Sequence, residues 1–458
     1  MPGRTGVRGF VSYFGALIAG GWLRWWMLGK YFEVNGDSEL YGGMAKNLLQ
    51  HGCYGLASAN GVLHPTLIRL PGYPLFLAAC FRLFGMENYY SASVIQIVLD
   101  VAACFLLAFA AYRLTPVRYR SAAAHATLWL AVLCPFTAIY AGQPLTETPT
   151  VFCIALAIWA ATRFRQLQDW TSALLFTLAV TWAALLRPDG ALVAVALAPA
   201  LIGCIRASWP RHAGKLAVCL LIAITPFVAW TVRNGRVFHV FQPLAPRYAT
   251  DPGEDTWPGW QRWMKTWSLD YVSTYQIYWN MPGSALDVTD LPSRAFDSPA
   301  QRTETAQLFA DYNANQDALS PTLDARFAEL AAQRVADHPL RYYLWLPLGR
   351  MADMWLRPRV ENLNIDLDWW VYAHHNSETR FSWFYAGLNA FYLLLAVVGL
   401  WLRPKLWPWM LLYFILRSLL LCTIEAPEAR YTIECFPMLF VLGGAAIGRL
   451  FAPRRAGA

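Results

Sequence analysis

The chain has 458 residues, 57% of them hydrophobic, 15% aromatic and only 14% charged, where a soluble protein carries about a quarter charged. Apolar runs of about 20 residues, the length that crosses a bilayer core, recur along it, which excludes a soluble globular enzyme. The net charge of +8 then reports which side of a membrane the basic residues occupy rather than binding to nucleic acid. The nine cysteines lie mostly in or beside apolar runs without CxxC spacing, so they form neither a disulfide framework nor a zinc site.

The first apolar run, Phe10 to Leu28, follows Arg4 and Arg8. It is too long for the core of a signal peptide and no A-x-A site follows it, so it reads as an uncleaved span with the N-terminus in the cytoplasm. Asp37 then emerges on the outer face. Ser38 to Gln50 carries Leu40, Tyr41, Met44, Ala45, Leu48 and Leu49 on one helical face, the pattern of a helix lying on the interface. A polar stretch leads to Arg69-Leu-Pro-Gly-Tyr-Pro74, and the apolar run Tyr73 to Phe84 is about half the length needed to cross, so it reads as a second interfacial or re-entrant helix.

Further spans are predicted at Tyr90–Tyr112, Ala122–Ala141, the segment from Thr146 to Thr162, Trp170–Leu186, Ala191–Ile205 and Leu216–Val232. Gly235 to about His338 is polar and net acidic, with several tryptophans that suggest a surface for acceptor choice; Leu340 to Leu356 reads as interfacial; and spans resume at Ser382–Leu402, Leu406–Ile424 and Tyr431–Ile447. With ten spans both termini fall inside. The cytoplasmic loops then collect arginines and lysines against the single acid Asp169, while the outer face receives Asp37, Glu39, Glu147, Asp189, Glu425 and Glu428. The expected architecture is an all-α polytopic membrane protein with about ten transmembrane helices. Its expected parts are an N-terminal transmembrane module (1–232) whose first outer loop (29–89) is catalytic, a small periplasmic domain with an interfacial helix (233–380), and a C-terminal transmembrane module (381–458).

An outer-face site has no access to nucleotide sugars, so a group-transfer enzyme there needs a lipid-borne donor, a base for the incoming nucleophile and cations for the leaving phosphate. Asp37 is the candidate base and Glu147 a second acid. Arg69, Arg187, Arg233 and Arg430 are candidate phosphate ligands, because a guanidinium pairs bidentately with phosphate. The same residues have plainer readings: Asp37 as a helix N-cap, Glu147 as a dipole-complementing acid, and Arg187 and Arg233 as headgroup-level anchors. Arg24, inside the first span, reads as snorkelling or paired with an outer acid. Asp368-Trp-Trp-Val-Tyr372 reads as an aromatic belt, and His374-His375 with Asp366 and Asp368 does not make a convincing metal site.

Taken in order, Asp37-Ser-x-x-Tyr41, Pro71-Gly-Tyr-Pro-Leu-Phe-Leu77, Leu145-Thr-Glu147, Leu186-Arg-Pro188, Trp230-Thr-Val-Arg-Asn234 and Glu428-Ala-Arg-Tyr431 resemble the bacterial GT-C glycosyltransferases. The branch they are most similar to is the protein-mannosyltransferase-like group (glycosyltransferase family 39) that includes the aminoarabinose transferases acting on lipid A. The resemblance implies a polyprenyl-phosphate sugar donor, a periplasmic lipid, glycan or protein acceptor, inverting transfer, Asp37 as base and Glu147 as the acid of the second outer loop. It implies Arg69 and Arg233 near the donor phosphate, with Tyr41, Arg187, Glu428, Arg430 and Tyr431 as further donor-site residues. It implies location in the bacterial inner membrane. No cofactor is expected: Ile68 stands where metal-using members carry an acid. The rival readings are a lipid or sugar flippase and a metal-dependent oligosaccharide transferase.

Overall fold

The computed structural model describes residues 3–58, 60–366, 369–371 and 376–452. Asp368, Tyr372, His374 and His375 lie outside the described residues. The fold is helical; among the described residues the only sheet is one short hairpin. The chain divides into two compact units, the first comprising 1–254, 390–414 and 433–458, the second 255–389 and 415–432.

The first unit begins with α1 (Gly3–Tyr31) and α2 (Asp37–His51). α2 starts where Gly36 adopts φ 47° and stops at Gly52, whose left-handed conformation (φ 65°) lets its N–H return to the Leu48 carbonyl. Asp37 and Glu39 occupy its first turn, where acids complement the helix dipole. Its buried face is Ser38, Tyr41, Met44 and Ala45, so the expected amphipathic helix is present over the expected residues. The hairpin β1 (Gly55–Ala57) and β2 (Leu63–Pro65) follows, antiparallel with Gly55 opposite Pro65. Next come α3 (Gly72–Phe84), α4 (Tyr89–Leu114), α5 (Arg120–Val132), α6 (Pro135–Ala141), α7 (Glu147–Leu167), α8 (Trp170–Leu186), α9 (Leu192–Ile205) and α10 (Trp209–Phe238). A Cβ on Gly72 would come within 2.5 Å of the Leu185 carbonyl, so only glycine lets the start of α3 lie against the end of α8. The last long helices are α16 (Asn376–Trp401), α17 (Trp407–Leu421) and α18 (Phe436–Leu450).

Among the described residues, five helices are long and apolar enough to cross a membrane, and six spans result if the bent pair α5 and α6 counts as one. The stretch expected as one span, Ala122–Ala141, is this pair, bent by 54°. Pro135 enters α6 at its first turn, where it cannot extend the hydrogen bonds of α5. The ten expected spans each fall on a helix or on this pair. α8 and α17 are shorter apolar helices, and α1 and α7 are not among the candidates.

Arg24 differs from expectation. It is completely buried and donates to Asp100, in the middle of α4, at 2.6 Å. Its other nitrogens reach the carbonyls of Gly20, Ala131 and Val132. The partner is therefore an acid inside a neighbouring span rather than an outer one, and the guanidinium also satisfies carbonyls at the broken end of α5. A charge at that depth survives only when paired in this way.

The second unit holds α11 (Pro258–Lys265), α12 (Tyr271–Ser273), α13 (Pro299–Ala314), α14 (Pro321–Asp337) and α15 (Leu346–Leu356). Trp260, Trp263 and Trp267 form its core with Phe309 and Phe327. Asp324 on α14 accepts from the N–H groups of Gly259 and Trp260 at 3.0 and 2.8 Å, capping α11 from a distance. These tryptophans were expected to offer an acceptor surface. They point inward, where Trp260 and Trp263 stack and Trp263 packs on Trp267, Phe309 and Phe327. Trp279 stands outside this core, about half exposed beside Tyr275.

Candidate active site

In the first unit, the start of α2 meets the loop before α3. Arg69 donates to the Asp37 carboxylate at 2.9 Å, with both side chains about a quarter exposed (26% and 24%). Asp37 is the first residue of α2 and Gly36 occupies the N-cap position, so the N-cap reading of Asp37 does not hold. Tyr41, one turn on, is buried and packs edge-on against Tyr73 with ring centroids 5.0 Å apart. The Tyr73 hydroxyl donates to Gln96, whose amide holds the carbonyl of Gln143 in the turn before α7.

That turn delivers Glu147 to the first turn of α7, where its side chain is 1% exposed. Arg187, just past the end of α8, reaches Glu147 at 3.2 Å, Asp189 at 3.3 Å and Glu434 at 3.0 Å. Glu434 is likewise 1% exposed. One half-buried guanidinium thus gathers three carboxylates, two of them out of water. The charges of both groupings bear on Tyr41: burial first, then Asp37 and also Glu147, push its phenol up to about 12 against the pull of Arg69 and Arg187. Asp37, Arg69, Tyr41, Glu147 and Arg187 therefore belong to one electrostatic neighbourhood.

Glu434 was not among the expected site residues. Its signal was available: an acid three residues into an apolar run is a functional candidate by default, since an ionised group there needs a partner. Asp189 was placed on the same face as Glu147 but without a role.

Arg233 sits apart from these pairs. Its terminal nitrogens donate to the carbonyls of Thr66 and Tyr54 at 2.8 Å each, and its guanidinium lies 5.2 to 5.5 Å from the rings of Tyr54, Trp230 and Phe238. Here it ties the end of α10 to the hairpin of the first loop.

Glu428, Arg430 and Tyr431 lie in the second unit. Arg430 meets Glu428 at 2.6 Å, and the Tyr431 hydroxyl donates to the same carboxylate. The turn that carries them is gripped through its backbone: Arg417, fully buried, donates to the Tyr431 carbonyl at 2.8 Å, and Arg359 donates to that of Ala429 at 2.8 Å. Neither arginine was anticipated. Their partners are main-chain carbonyls, which no residue pattern marks.

Chemically, the arrangement offers a partly exposed carboxylate held by an arginine beside a tyrosine, with a second arginine behind it oriented by buried acids. Such a set can accept a proton and meet an anion in adjoining positions. Among the described residues, no three His, Cys, Asp or Glu side chains converge as a metal site requires.

A comparison with curated proteins gives no match. Among solved structures, the chain is similar to the crystal structure of ArnT from Cupriavidus metallidurans bound to undecaprenyl phosphate, at 14% identity over 97% of this chain and 76% of that one, with a TM-score of 0.37. The apo structure of the same protein gives 14% identity over 96% and 78%, with a TM-score of 0.39. Residues 64–230, a segment that holds Arg69, Glu147 and Arg187, match the family described as dolichyl-phosphate-mannose-protein mannosyltransferase.

Proposed function

We propose that this protein is an inverting glycosyltransferase that moves a sugar from a polyprenyl-phosphate donor to a lipid, glycan or protein acceptor on the periplasmic face of the bacterial inner membrane. The observation that carries the reading is the meeting of Asp37 and Arg69 beside Tyr41, with Glu147 and Arg187 in the same field, in a chain whose segment 64–230 matches a family named for a lipid-phosphate sugar donor. The reading takes the ten-span topology with both termini inside, in which these groups lie on the outer side, where a lipid-borne donor is available and a nucleotide sugar is not.

In this reading Asp37 takes the proton of an acceptor hydroxyl or amine as that atom attacks the sugar C1. The bond from C1 to the phosphate oxygen breaks on the opposite face, and its electron pair leaves with polyprenyl phosphate. Arg69 and Arg187 stabilise the departing dianion through paired N–H donors. Glu147, Asp189 and Glu434 hold Arg187 in position. Arg233 orders the loop that carries Arg69. No cofactor is needed for this step.

Asp37→Asn tests it. Membranes containing the variant, supplied with polyprenyl-phosphate sugars, are expected to lose transfer by about a hundredfold or more, the usual worth of a positioned base, while the protein stays folded and retains the lipid. Full activity in that variant would refute the assignment of the base. Donor-independent movement of lipid between leaflets would favour the flippase.

A further inference from the structure

The far end of the first unit carries a second feature. A cavity of about 380 Å³ opens between the end of α4, the start of α5, the end of α7 and the turn between α16 and α17, lined by Arg113, Arg120, Lys405, Gln166, Tyr112 and Phe109, among others. Three of the lining residues are cationic and none is acidic. Among the described residues, one terminal nitrogen of Arg113 is buried with no hydrogen-bond partner, and its guanidinium lies 5.6 Å from the Trp159 ring centroid. The Arg120 guanidinium rests on the Tyr112 ring at 4.5 Å, and the Lys405 backbone is pinned to the Leu114 carbonyl at 2.9 Å. The nearest acid that α7 and α8 supply, Asp169, is engaged with Arg163 and Ser172.

Gln166 lies 19 positions after Glu147 on α7. At about 1.5 Å per residue that is roughly 28 Å, close to the thickness of a bilayer core. The cavity therefore lies one membrane thickness from the acids of the candidate active site. A buried guanidinium nitrogen without a hydrogen-bond acceptor, in a cavity whose charged lining residues are all cationic, calls for an oxyanion. Phe109, Tyr112 and Val117 flank the cavity with exposed apolar surface, which a free phosphate would not use and an acyl chain would.

We propose that this cavity binds the phosphate headgroup of an acidic phospholipid from the opposite leaflet, with Arg113, Arg120 and Lys405 on the phosphate and Phe109, Tyr112 and Val117 along the first part of the acyl chain. The site does not depend on the transfer reaction.

The test uses the full-length protein in nanodiscs of phosphatidylcholine doped with phosphatidylglycerol, with bound lipid counted by native mass spectrometry and stability by thermal unfolding. Each cation near an anionic headgroup is worth roughly fivefold in affinity, so three give a preference for phosphatidylglycerol on the order of a hundredfold. The triple variant Arg113→Gln, Arg120→Gln, Lys405→Gln is expected to lose that preference while melting as the wild type does in pure phosphatidylcholine. The charge-conserving variant Arg113→Lys, Arg120→Lys, Lys405→Arg is expected to keep most of it. An equal preference in wild type and Gln variant would overturn the proposal. So would inorganic phosphate reproducing the whole stabilisation by itself, which would make the site one for a free anion.

Discussion

Replacing Arg187 with methionine isolates the electrostatic arrangement behind the candidate base. The variant leaves Glu147 and Glu434, both 1% exposed, facing one another without the cation between them, and also releases Asp189. At an effective dielectric of about 20, each contact near 3 Å is worth about 5 kcal/mol before desolvation. Measured losses on removing one partner of a buried pair are smaller, about 3–5 kcal/mol, because structure and water relax. At about 2–4 °C per kcal/mol, the variant should melt on the order of 10 °C lower in detergent. Glu434→Gln alone should cost about 1 kcal/mol or less, since Arg187 keeps Glu147 and Asp189. Adding Glu434→Gln to Arg187→Met should recover about half of the loss by removing the like-charge pair. Thermal unfolding of the four proteins completes the cycle. The reasoning fails if Arg187→Met melts with the wild type, or if Glu434→Gln is as damaging as Arg187→Met.

Two further predictions concern other charged groups. Burial pushes the Asp353 carboxyl up to about 6, against Arg357 and with help from Asp270 and Glu361. The folded state thus holds its proton above the unfolded value near 4, so this group's contribution is fully present below about pH 4 and is lost as pH rises through 6, about 3 kcal/mol in all. Asp353→Asn should flatten that part of the stability curve and raise the melting temperature at pH 8, and a variant that melts lower there would contradict the sign. Arg24→Met strands Asp100, 3% exposed, and should cost about 3–5 kcal/mol, while Arg24→Met with Asp100→Leu should recover most of that; equal melting of the single and double variants would refute the pairing as the source of the loss.

The sequence by itself determined the helical class, the amphipathic α2 and short apolar α3, and the placement of the long apolar helices, because these follow from local periodicity and run length. It also determined the order of the motifs around Asp37, Glu147 and Arg187. It did not determine partners. Whether Asp37 capped its own helix or met Arg69 depended on how the first loop folds back, and Arg24 found Asp100 only because α1 and α4 pack side by side. Asp189 is only two residues from Arg187, but the other two acids on Arg187 come from the start of α7 and from the turn before α18, which chain proximity does not join. The tryptophans of the second unit show the same limit: a pattern marks them as large and aromatic, and only packing decides whether they fill a core or face a ligand. Tertiary structure decided these matters because ion pairs and core contacts are set by which surfaces close on one another, a property of the whole chain and not of any stretch of it.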